Sequence, residues 1–288
     1  MKVCVVGATG VLGRSLVPLL VKEGFTVRAL ARFNEEKRRR LPKEAECVDF
    51  DLLADRAPLE LRELVRGFDA VLHIATAIPR DFSAPGAWDL NTKLRTIGTQ
   101  RLLDASTIGG VAYYVQQSIT MRYPDCGDRW IDEDIPLVSK SDRTGEVDTV
   151  TVMENLVRQA REKPDWCIVR GAIFVGPGTF QEDMIRRLLS GSDIVPGDGT
   201  NFTSYVHVGD MASAYISLLR ARPHHAVYNI VTEALREGEY RDRLADMIGA
   251  PKPARDMTQP RPVSHRCSNE RAKKELQWRP QHSIFPSP

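Results

Sequence analysis

The chain opens with a run of β-forming residues that leads directly into a glycine-rich stretch, GATGVLG at Gly7 to Gly13, and then into a helical pattern. The strand candidate is KVCVVGA, and the helix candidate GRSLVPLLVKEG ends at Gly24, a residue suited to a helix C-terminus. A glycine turn between strand and helix presents free backbone N–H groups at the helix N-terminus, where they bind phosphate. This order predicts a dinucleotide-binding unit at the start of the chain.

The same alternation continues through the first half of the chain. Further strand candidates are FTVRALAR, AECVDFDL, FDAVLHIAT, VAYYVQQSI and DWCIVRGAIFVG, with amphipathic helical patterns such as LELRELVRG between them. Apolar strands separated by helices predict the α/β class, with a Rossmann-type doubly wound parallel sheet covered on both faces. After Gly176 the pattern changes. We therefore expect a dinucleotide-binding domain over 1–170, with segments returning around 204–232, and a smaller substrate lobe over 171–203 and 233–288.

The three glycines of the loop have different physical roles. Gly7 permits the tight turn, and Gly13 allows the helix to pack close to the strand. Gly10 lets the backbone approach a pyrophosphate, because no Cβ stands in the way. The loop therefore predicts a site for the phosphates of a dinucleotide.

The end of the second strand candidate predicts which dinucleotide binds. An acidic residue there would bind the ribose 2′-OH of NAD, whereas this strand ends RALARFNEEKRRR, with Arg32 in that position. A guanidinium suits the 2′-phosphate of NADP by charge and by its bidentate geometry, and Arg14 can reach the same phosphate. We therefore expect NADP, with NAD as the less favoured cofactor. The basic residues at 37–40 are interpreted as a solvated helix face.

Composition and charge exclude several other functions. The net charge is +2, so charge gives no reason to expect nucleic acid as a partner. The five cysteines are scattered without CxxC spacing, which argues against a metal site and disulfides and fits a reducing compartment. No apolar run is long enough to span a membrane, so we expect a cytoplasmic protein with no membrane partner.

Taken together, these segments resemble the short-chain dehydrogenase/reductase superfamily, in the extended or atypical branch that includes the NAD(P)-dependent epimerase/dehydratase family. The resemblance covers nearly the whole chain. GATGVLG is similar to the family's cofactor loop, DFDL to its third-strand end, HIATA to its fourth-strand segment and NTKLRTIGTQRLLDAS to its fourth helix. YYVQQSI resembles the fifth strand, which ends in the active-site serine, and IVRGAIFVGPGT resembles the sixth, with Gly171 where the family usually has Pro.

The resemblance implies an oxidoreductase or epimerase/dehydratase type of enzyme, a nicotinamide dinucleotide and a small-molecule substrate. The apolar stripes near 94–103 and 147–157 lie on faces that the family often pairs across a two-fold axis, so the resemblance also implies a homodimer. Carried over to this sequence, the residues expected at the cofactor are Gly7, Thr9, Gly10, Val11, Leu12, Gly13, Arg14, Arg32, Asp51, Leu52, Ile74, Ala75, Thr76, Asn91 and Gly171.

One family feature is missing. The family has Tyr and Lys four residues apart at the start of the helix after the fifth strand, and a Glu four residues further on. Counted back from Glu154, the Lys position holds Val150 and the Tyr position holds Glu146, and no tyrosine of this chain is followed by Lys four residues later. In the family, the Lys lowers the pKa of the phenol and the phenol exchanges the proton that accompanies hydride transfer. Valine can do neither.

Two functions therefore stay open. The first is an NADP(H)-dependent reductase, epimerase or dehydratase-type enzyme in which Ser118 polarises a substrate and Glu146, Tyr114 or Tyr123 supplies the proton. The second is a catalytically inactive NADP-binding sensor. The substrate-side segments are also kept, which favours the enzyme. His73 lies within an apolar run and is interpreted as structural.

Overall fold

The computed structural model describes residues 1–79, 81–82, 84–138, 148–160 and 164–286, and its contacts divide the chain into two units. The first unit is Met1–Ser118, the described part of Ser139–Val169, and Leu218–Val227. The second unit is Ile119–Val138, Arg170–Ser217 and the described part of Tyr228–Pro288.

The described strands and helices alternate as the sequence predicts. The strands are β1 Lys2–Val6, β2 Thr26–Ala31, β3 Glu46–Asp49, β4 Ala70–His73, β5 Tyr113–Ile119, β6 Asp165–Gly171, β7 Ile173–Val175, β8 Ile194–Pro196, β9 Phe202–His207, β10 Ala226–Ile230, β11 Glu233–Arg236 and β12 Ala254–Asp256. The helices are α1 Val11–Lys22, α2 Glu35–Arg39, α3 Ala57–Val65, α4 Asp89–Lys93, α5 Thr99–Gly109, α6 Thr149–Gln159, α7 Phe180–Leu189, α8 Val208–Ala221, α9 Glu237–Ile248 and α10 Glu270–Glu275. A π-helical turn, Leu94–Gly98, joins α4 to α5.

The central sheet has seven strands in the order β10-β6-β5-β4-β1-β2-β3. Its strands are parallel, and β1 pairs with both β2 and β4, with Val3 opposite Val27 on one side and Ala70 on the other. Crossovers between parallel strands run through helices, which cover the faces of the sheet and explain why β1 is buried from Val3 onward. The predicted α/β class and Rossmann-type sheet are confirmed.

Helices and strands of the first unit share one apolar core. Leu61 and Val65 of α3 and Leu102 of α5 belong to the same buried cluster as Cys4 of β1 and Val71 of β4. Each of these side chains lies on the inward face of its element, because the helical residues recur at helical spacing and the strands are covered on both sides. This packing holds the carboxyl ends of β1, β2 and β4, where the glycine loop lies, in a rigid arrangement.

The second unit is built on two small sheets, with strand orders β11-β9-β7 and β12-β8. Its core includes stacked rings: Tyr205 and Tyr240 have ring centroids 4.0 Å apart, and Tyr240 also stacks on Phe285 at 5.3 Å. Gln181 of α7 donates from Nε2 to the Tyr240 hydroxyl and to the Ile284 carbonyl, both at 2.7 Å. These contacts fasten the C-terminal segment to α7 and α9.

A buried ion-pair network lies in the same unit. Arg241 donates to Glu237 at 2.6 Å and to Asp193 at 2.7 Å, and Asp193 also pairs with Arg187 at 2.9 Å. The second oxygen of Glu237 accepts a hydrogen bond from the Tyr205 hydroxyl at 2.5 Å. Because both carboxylates are buried, Arg241 is the group that compensates their charge.

The division into units differs from the predicted domain boundaries in two places. Residues Ile119–Val138 belong to the second unit, and the returning segment of the first unit is Leu218–Val227. The reason lies in long-range pairing: Ile131 forms a β-bridge with Cys267, and Glu133 accepts a hydrogen bond from the Asn229 backbone at 2.7 Å. The local sequence pattern carries no signal for such contacts.

No helix in the described ranges combines the length and the apolar character needed to cross a membrane. The described residues also contain no group of three or more His, Cys, Asp or Glu side chains arranged to hold a metal ion. All five cysteines are free thiols, and burial raises the pKa of Cys4 and of Cys267 to about 12. Those two thiols are therefore inert at neutral pH.

Candidate functional site

The glycine loop between β1 and α1 shows why two of its positions require glycine. Gly7 has φ +98°, and a Cβ there would lie 2.6 Å from the Ala75 backbone. A Cβ on Gly13 would lie 2.3 Å from the Ala8 carbonyl oxygen. A side chain at Gly7 would therefore push the loop away from the segment after β4, and one at Gly13 would push the helix away from the residues that follow β1. The positive φ of Gly7 agrees with the predicted tight turn, and the contact at Gly13 agrees with the predicted close packing.

Gly10 is different, because a Cβ there would have a single close contact among the described residues. A Cβ there would meet only the Gly7 carbonyl oxygen, at 3.3 Å, and would otherwise stand in open space. Gly10 is also the N-cap of α1, and no side chain caps the first turn of that helix. The first-turn N–H groups, contributed by Val11, Leu12 and Gly13, together with this open approach, fit the pyrophosphate of a dinucleotide.

Two predicted cofactor segments lie beside the loop. The Gly7 N–H donates to the Leu30 carbonyl at 2.9 Å, so the end of β2 lies next to the turn. Arg32 follows two residues later with an exposed side chain, and Arg14 is half-buried in the first turn of α1. α2 has no buried residue. Arg39 pairs with Glu35 and Arg40 with Glu36 at the surface, which confirms the interpretation of a solvated helix face.

The remaining predicted cofactor residues of the first unit lie at the ends of β3 and β4. Phe50 N donates to the Ala31 carbonyl at 2.9 Å, so exposed Asp51 follows at the same sheet edge as Arg32. Leu52 is buried, and Gly98 of the π-helical turn gives it room, since a Cβ there would lie 2.8 Å from the Leu52 methyl.

The end of β4 and the glycine loop hold four more of the predicted cofactor residues. After β4, Ile74 is buried, Ala75 is half-buried and Thr76 is exposed. Thr9 in the glycine loop is half-buried.

Asn91 braces the segment after β4. Its Oδ1 accepts a hydrogen bond from the Ala77 N–H at 3.0 Å, and its Nδ2 is buried without a partner among the described residues. The sequence indicates a cofactor role for Asn91, and the structure gives it a structural one as well. The unpaired Nδ2 is a donor that a bound ligand can satisfy, because a buried amide without a partner is costly.

A buried polar cluster surrounds His73 at the end of β4. The His73 Nδ1 lies 3.0 Å from Gln116 Oε1 and 3.2 Å from the Tyr114 hydroxyl, and Thr99 Oγ1 lies 3.4 Å away. Nε2 is buried without a partner. Burial lowers the pKa of His73 to about 4, so the ring is neutral at physiological pH. These contacts support the interpretation that His73 is a structural residue.

This depressed pKa makes the stability of the protein pH-dependent. Unfolding restores the ordinary histidine pKa of 6.5, so the unfolded chain binds a proton that folded His73 takes up only near pH 4. The free energy of unfolding is therefore expected to fall by about 3 kcal/mol as the pH drops from 6.5 to 4. Urea unfolding at a series of pH values measures it. His73→Asn should lose most of this decline, whereas His224→Asn, at an exposed site, should keep it.

Ser118, the predicted catalytic serine, is 2% exposed near the end of β5. Its hydroxyl donates to Glu154 Oε1 at 2.7 Å, and Glu154 is also buried, with Arg158 3.5 Å from its other oxygen. The serine proton is therefore directed at a carboxylate in this structure. Its predicted role toward a substrate remains a prediction.

The helix that carries the Lys position in the family is α6, which begins at Thr149 after the N-cap Asp148. Val150, at that position, is fully buried. Glu146, the second predicted catalytic residue, lies outside the described residues. Within the described helix, no cation occupies the place that the family gives to Lys.

The burial of the tyrosines decides whether a phenol of this chain can exchange a proton with a substrate. All seven are at most 2% exposed. The hydroxyls of Tyr114 and Tyr123 donate at 2.8 Å to Gln116 and Asn229 respectively, and burial raises the pKa of both. A buried phenol with a raised pKa and a protein partner is not available to exchange a proton with a substrate. This finding argues against both tyrosines as the replacement acid that the sequence left open.

A second buried cluster, in the second unit, was not expected from the sequence. Arg170, at the end of β6, donates to the Tyr123 hydroxyl at 2.6 Å and lies over its ring at 5.0 Å. Gly171, predicted at the cofactor, is the next residue and is buried. The only sequence signal was that Arg170 interrupts an apolar strand, which indicates a charged group with a buried partner.

The comparisons with known proteins agree with this geometry. The sequence model of the NAD dependent epimerase/dehydratase family matches residues 3–231, which is most of the chain. The chain belongs to that family. This membership confirms the resemblance drawn from the motifs, and it supports a nicotinamide dinucleotide as the cofactor class.

Two relatives and one solved structure illustrate the likeness. A 3-diazoavenalumate denitrifying reductase from Streptomyces sp is 30% identical over 300 residues, which cover 98% of this chain and 97% of that protein. Cinnamoyl-CoA reductase 1 from Petunia hybrida is 25% identical, over 94% of this chain and 85% of that one. DesIV, a dTDP-glucose 4,6-dehydratase from Streptomyces venezuelae solved with NAD, is 23% identical and shares the fold, with a TM-score of 0.82 over 98% of this chain and 93% of that one.

Proposed function

We propose that this protein is an NADP(H)-dependent reductase that transfers hydride to an arenediazonium group, R–N₂⁺, and releases N₂. The observation that carries the proposal is that none of the seven tyrosines offers an exposed phenol, while the cofactor loop is intact. A family member with a cofactor site but no proton-exchanging phenol suits a reduction that needs no proton from the protein.

Carbonyl reduction and diazonium reduction differ in whether the protein must supply a proton. A carbonyl that accepts hydride becomes an alkoxide, which a general acid must protonate, and such help is worth about 10²–10⁴-fold in rate. A diazonium carbon that accepts hydride forms a C–H bond, while the C–N electron pair leaves with N₂. The products, R–H and N₂, are neutral, so the equation balances without a proton.

The relative from Streptomyces sp supports this choice. Its name describes a reductase that removes nitrogen from a diazo compound, and it aligns with almost the whole of this chain. We restrict the substrate to aromatic diazonium groups because alkyl diazonium ions lose N₂ spontaneously in water. Cinnamoyl-CoA reductase 1 also acts, by its name, on a substrate with an aromatic ring.

Different residues of this chain have separate roles in the proposed reaction. When bound, the nicotinamide dinucleotide supplies the hydride. Gly10 and the first turn of α1 hold its pyrophosphate, and Arg32 binds its 2′-phosphate. Burial of the polar cluster at His73 keeps the end of β4 rigid and that ring uncharged. The homodimer and the cytoplasmic location expected from the sequence remain predictions.

Isotope transfer tests the reaction. With 4-methoxybenzenediazonium and NADPH deuterated at both C4 hydrogens, we expect anisole with one ring deuterium, N₂ release and matching oxidation of NADPH. With unlabelled NADPH in D₂O, the ring should carry no deuterium. A reaction without protein measures the spontaneous background. Deuterium from D₂O, or no rate above background, would contradict the proposal, and binding of NADPH without any hydride transfer would favour the sensor function.

Cofactor choice gives a second test. Arg32→Ala is expected to weaken NADP(H) binding about ten-fold or more and to leave NAD(H) nearly unchanged, because one charge-assisted bidentate contact to the 2′-phosphate is lost. Isothermal titration with each dinucleotide measures both affinities. Arg39→Ala, on the exposed face of α2, is the matched control and should change neither. Equal weakening of NADP and NAD by Arg32→Ala would remove the assignment.

A further inference from the structure

A cleft of about 280 Å³ lies within the second unit. Its first lining residues, Thr120 and Met121, follow Ser118 in the chain by two and three residues. Its apolar walls also include Ile173, Pro196 and Val263. A space of this size with apolar walls and a few polar groups is suited to a small organic ligand with a flat ring.

The charge of the cleft excludes strongly anionic ligands. Among the described lining residues, Arg241 has the one guanidinium, and it is bound to Glu237 at 2.6 Å, to Asp193 at 2.7 Å and to the Ile194 carbonyl at 3.1 Å. Its charge is therefore compensated by the protein. A diphosphate placed here would meet the carboxylate of Glu237 without a free cation to neutralise it. The cleft is accordingly poorly suited to a sugar nucleotide.

Two hydrogen-bond acceptors line the cleft, and one of them lacks a donor in the described structure. Asn201 is 2% exposed, and its Oδ1 is buried without a partner in the described structure. The His265 Nε2 lies 2.9 Å from the Tyr123 carbonyl oxygen, which can only accept, so Nε2 carries the proton. Burial lowers the pKa of His265, so its ring is neutral and Nδ1 keeps a lone pair. Asn201 Oδ1 therefore requires a donor, which a hydroxyl provides.

We propose that this cleft binds an aromatic ring that bears a hydroxyl and no negative charge, with the ring hydroxyl donating to Asn201 Oδ1. Buried Asn201 then gains the partner that it lacks in the free protein, so the ligand hydroxyl replaces an unpaired group by a hydrogen bond. The identification of this ring as that of the substrate rests on the proposed function. The binding itself is a property of the cleft and is tested without turnover.

Calorimetric titration of the protein without cofactor provides the test. Methyl 3-hydroxycinnamate and methyl 4-hydroxycinnamate are compared with methyl cinnamate, which is smaller and more apolar. We expect at least one hydroxylated ester to bind about 10-fold more tightly than methyl cinnamate. Equal or tighter binding of methyl cinnamate, or no binding of any of the three esters, would overturn the proposal. Displacement of the bound ester by UDP-glucose at equal concentration would also overturn it.

Variants of Asn201 assign the preference to that side chain. Asn201→Leu has a similar volume and no acceptor, so the hydroxylated and plain esters should bind equally. Asn201→Asp keeps an acceptor at the same place and should keep the preference for the hydroxyl. A preference retained in Asn201→Leu contradicts the assignment. Thermal unfolding shows whether each variant folds, and if Asn201→Leu does not, the three esters and UDP-glucose on the unaltered protein decide.

The outcomes separate this inference from the proposed function. If the hydroxyl preference is absent but diazonium reduction occurs, the cleft assignment is wrong and the function stands. If the preference is present but no hydride is transferred, the cleft assignment stands and the function is wrong.

Discussion

Replacing Arg241 with methionine is expected to lower the free energy of unfolding by about 3–5 kcal/mol, because two buried carboxylates lose their main partner. Asp193 is 4% exposed and Glu237 is 7% exposed, so water does not replace the guanidinium at either group. Asp193 keeps Arg187 at 2.9 Å, whereas Glu237 keeps the Tyr205 hydroxyl and has no second ion pair among the described residues. Urea denaturation followed by circular dichroism measures the loss.

A matched control lies on the same helix, two residues further along. Arg243 is about half-exposed and pairs with Glu239 at 3.5 Å. Arg243→Met removes the same charge but leaves no buried carboxylate, so it should cost less than about 1 kcal/mol. If both variants lose the same stability, the Arg241 network does not stabilise the second unit in the way described.

Gly10→Ala is expected to weaken binding of the dinucleotide about 100-fold or more while the protein stays folded. The added Cβ meets one protein atom, the Gly7 carbonyl oxygen at 3.3 Å, and otherwise fills the space through which the pyrophosphate approaches. The loss of several charge-assisted hydrogen bonds from N–H groups to phosphate accounts for the magnitude. Titration with NADPH gives the affinity, and thermal unfolding gives the stability.

Gly13→Ala separates ligand contact from packing in the same loop. Its Cβ would lie 2.3 Å from the Ala8 carbonyl oxygen, so the helix must move away from the strand and the variant should lose stability. Gly10→Ala should not. NADPH binding that survives in Gly10→Ala would show that the phosphates do not approach at this point, and the cofactor assignment would then need another site.

This chain has neither an exposed tyrosine nor the lysine of the family's pair, so membership of the family does not by itself imply carbonyl reduction. A chain with the cofactor loop but without the acid is often taken as inactive. The chemistry of nitrogen loss gives an alternative, because N₂ is a neutral leaving group and the C–H bond is completed by hydride alone. The cleft in the second unit, with acceptors and no free cation among its described lining residues, agrees with an aromatic substrate that carries a hydroxyl.

The order of strands and helices could be predicted from the sequence, because each depends on local chemistry. GATGVLG requires a turn between a strand and a helix, and apolar runs such as DWCIVRG are buried on both faces in a parallel sheet. The prediction of DWCIVRGAIFVG as one strand is wrong, because the structure divides it between β6 of the central sheet and β7 of the three-stranded sheet. The absence of a Tyr–Lys pair could also be predicted from the sequence, because the spacing of two residues along a helix is fixed by the sequence itself.

Only the tertiary structure decided which polar groups have partners. Ser118 and Glu154 lie 36 residues apart in sequence and 2.7 Å apart in space, and Tyr123 and Asn229 are separated by 106 residues. The unpaired Oδ1 of Asn201 is likewise invisible in the sequence, since TNFTSYV reads as an ordinary turn and strand. Local propensity sets where strands and helices form, whereas burial and hydrogen bonding depend on residues that meet only after the chain has folded. The chemistry of the sites therefore had to be found in the structure.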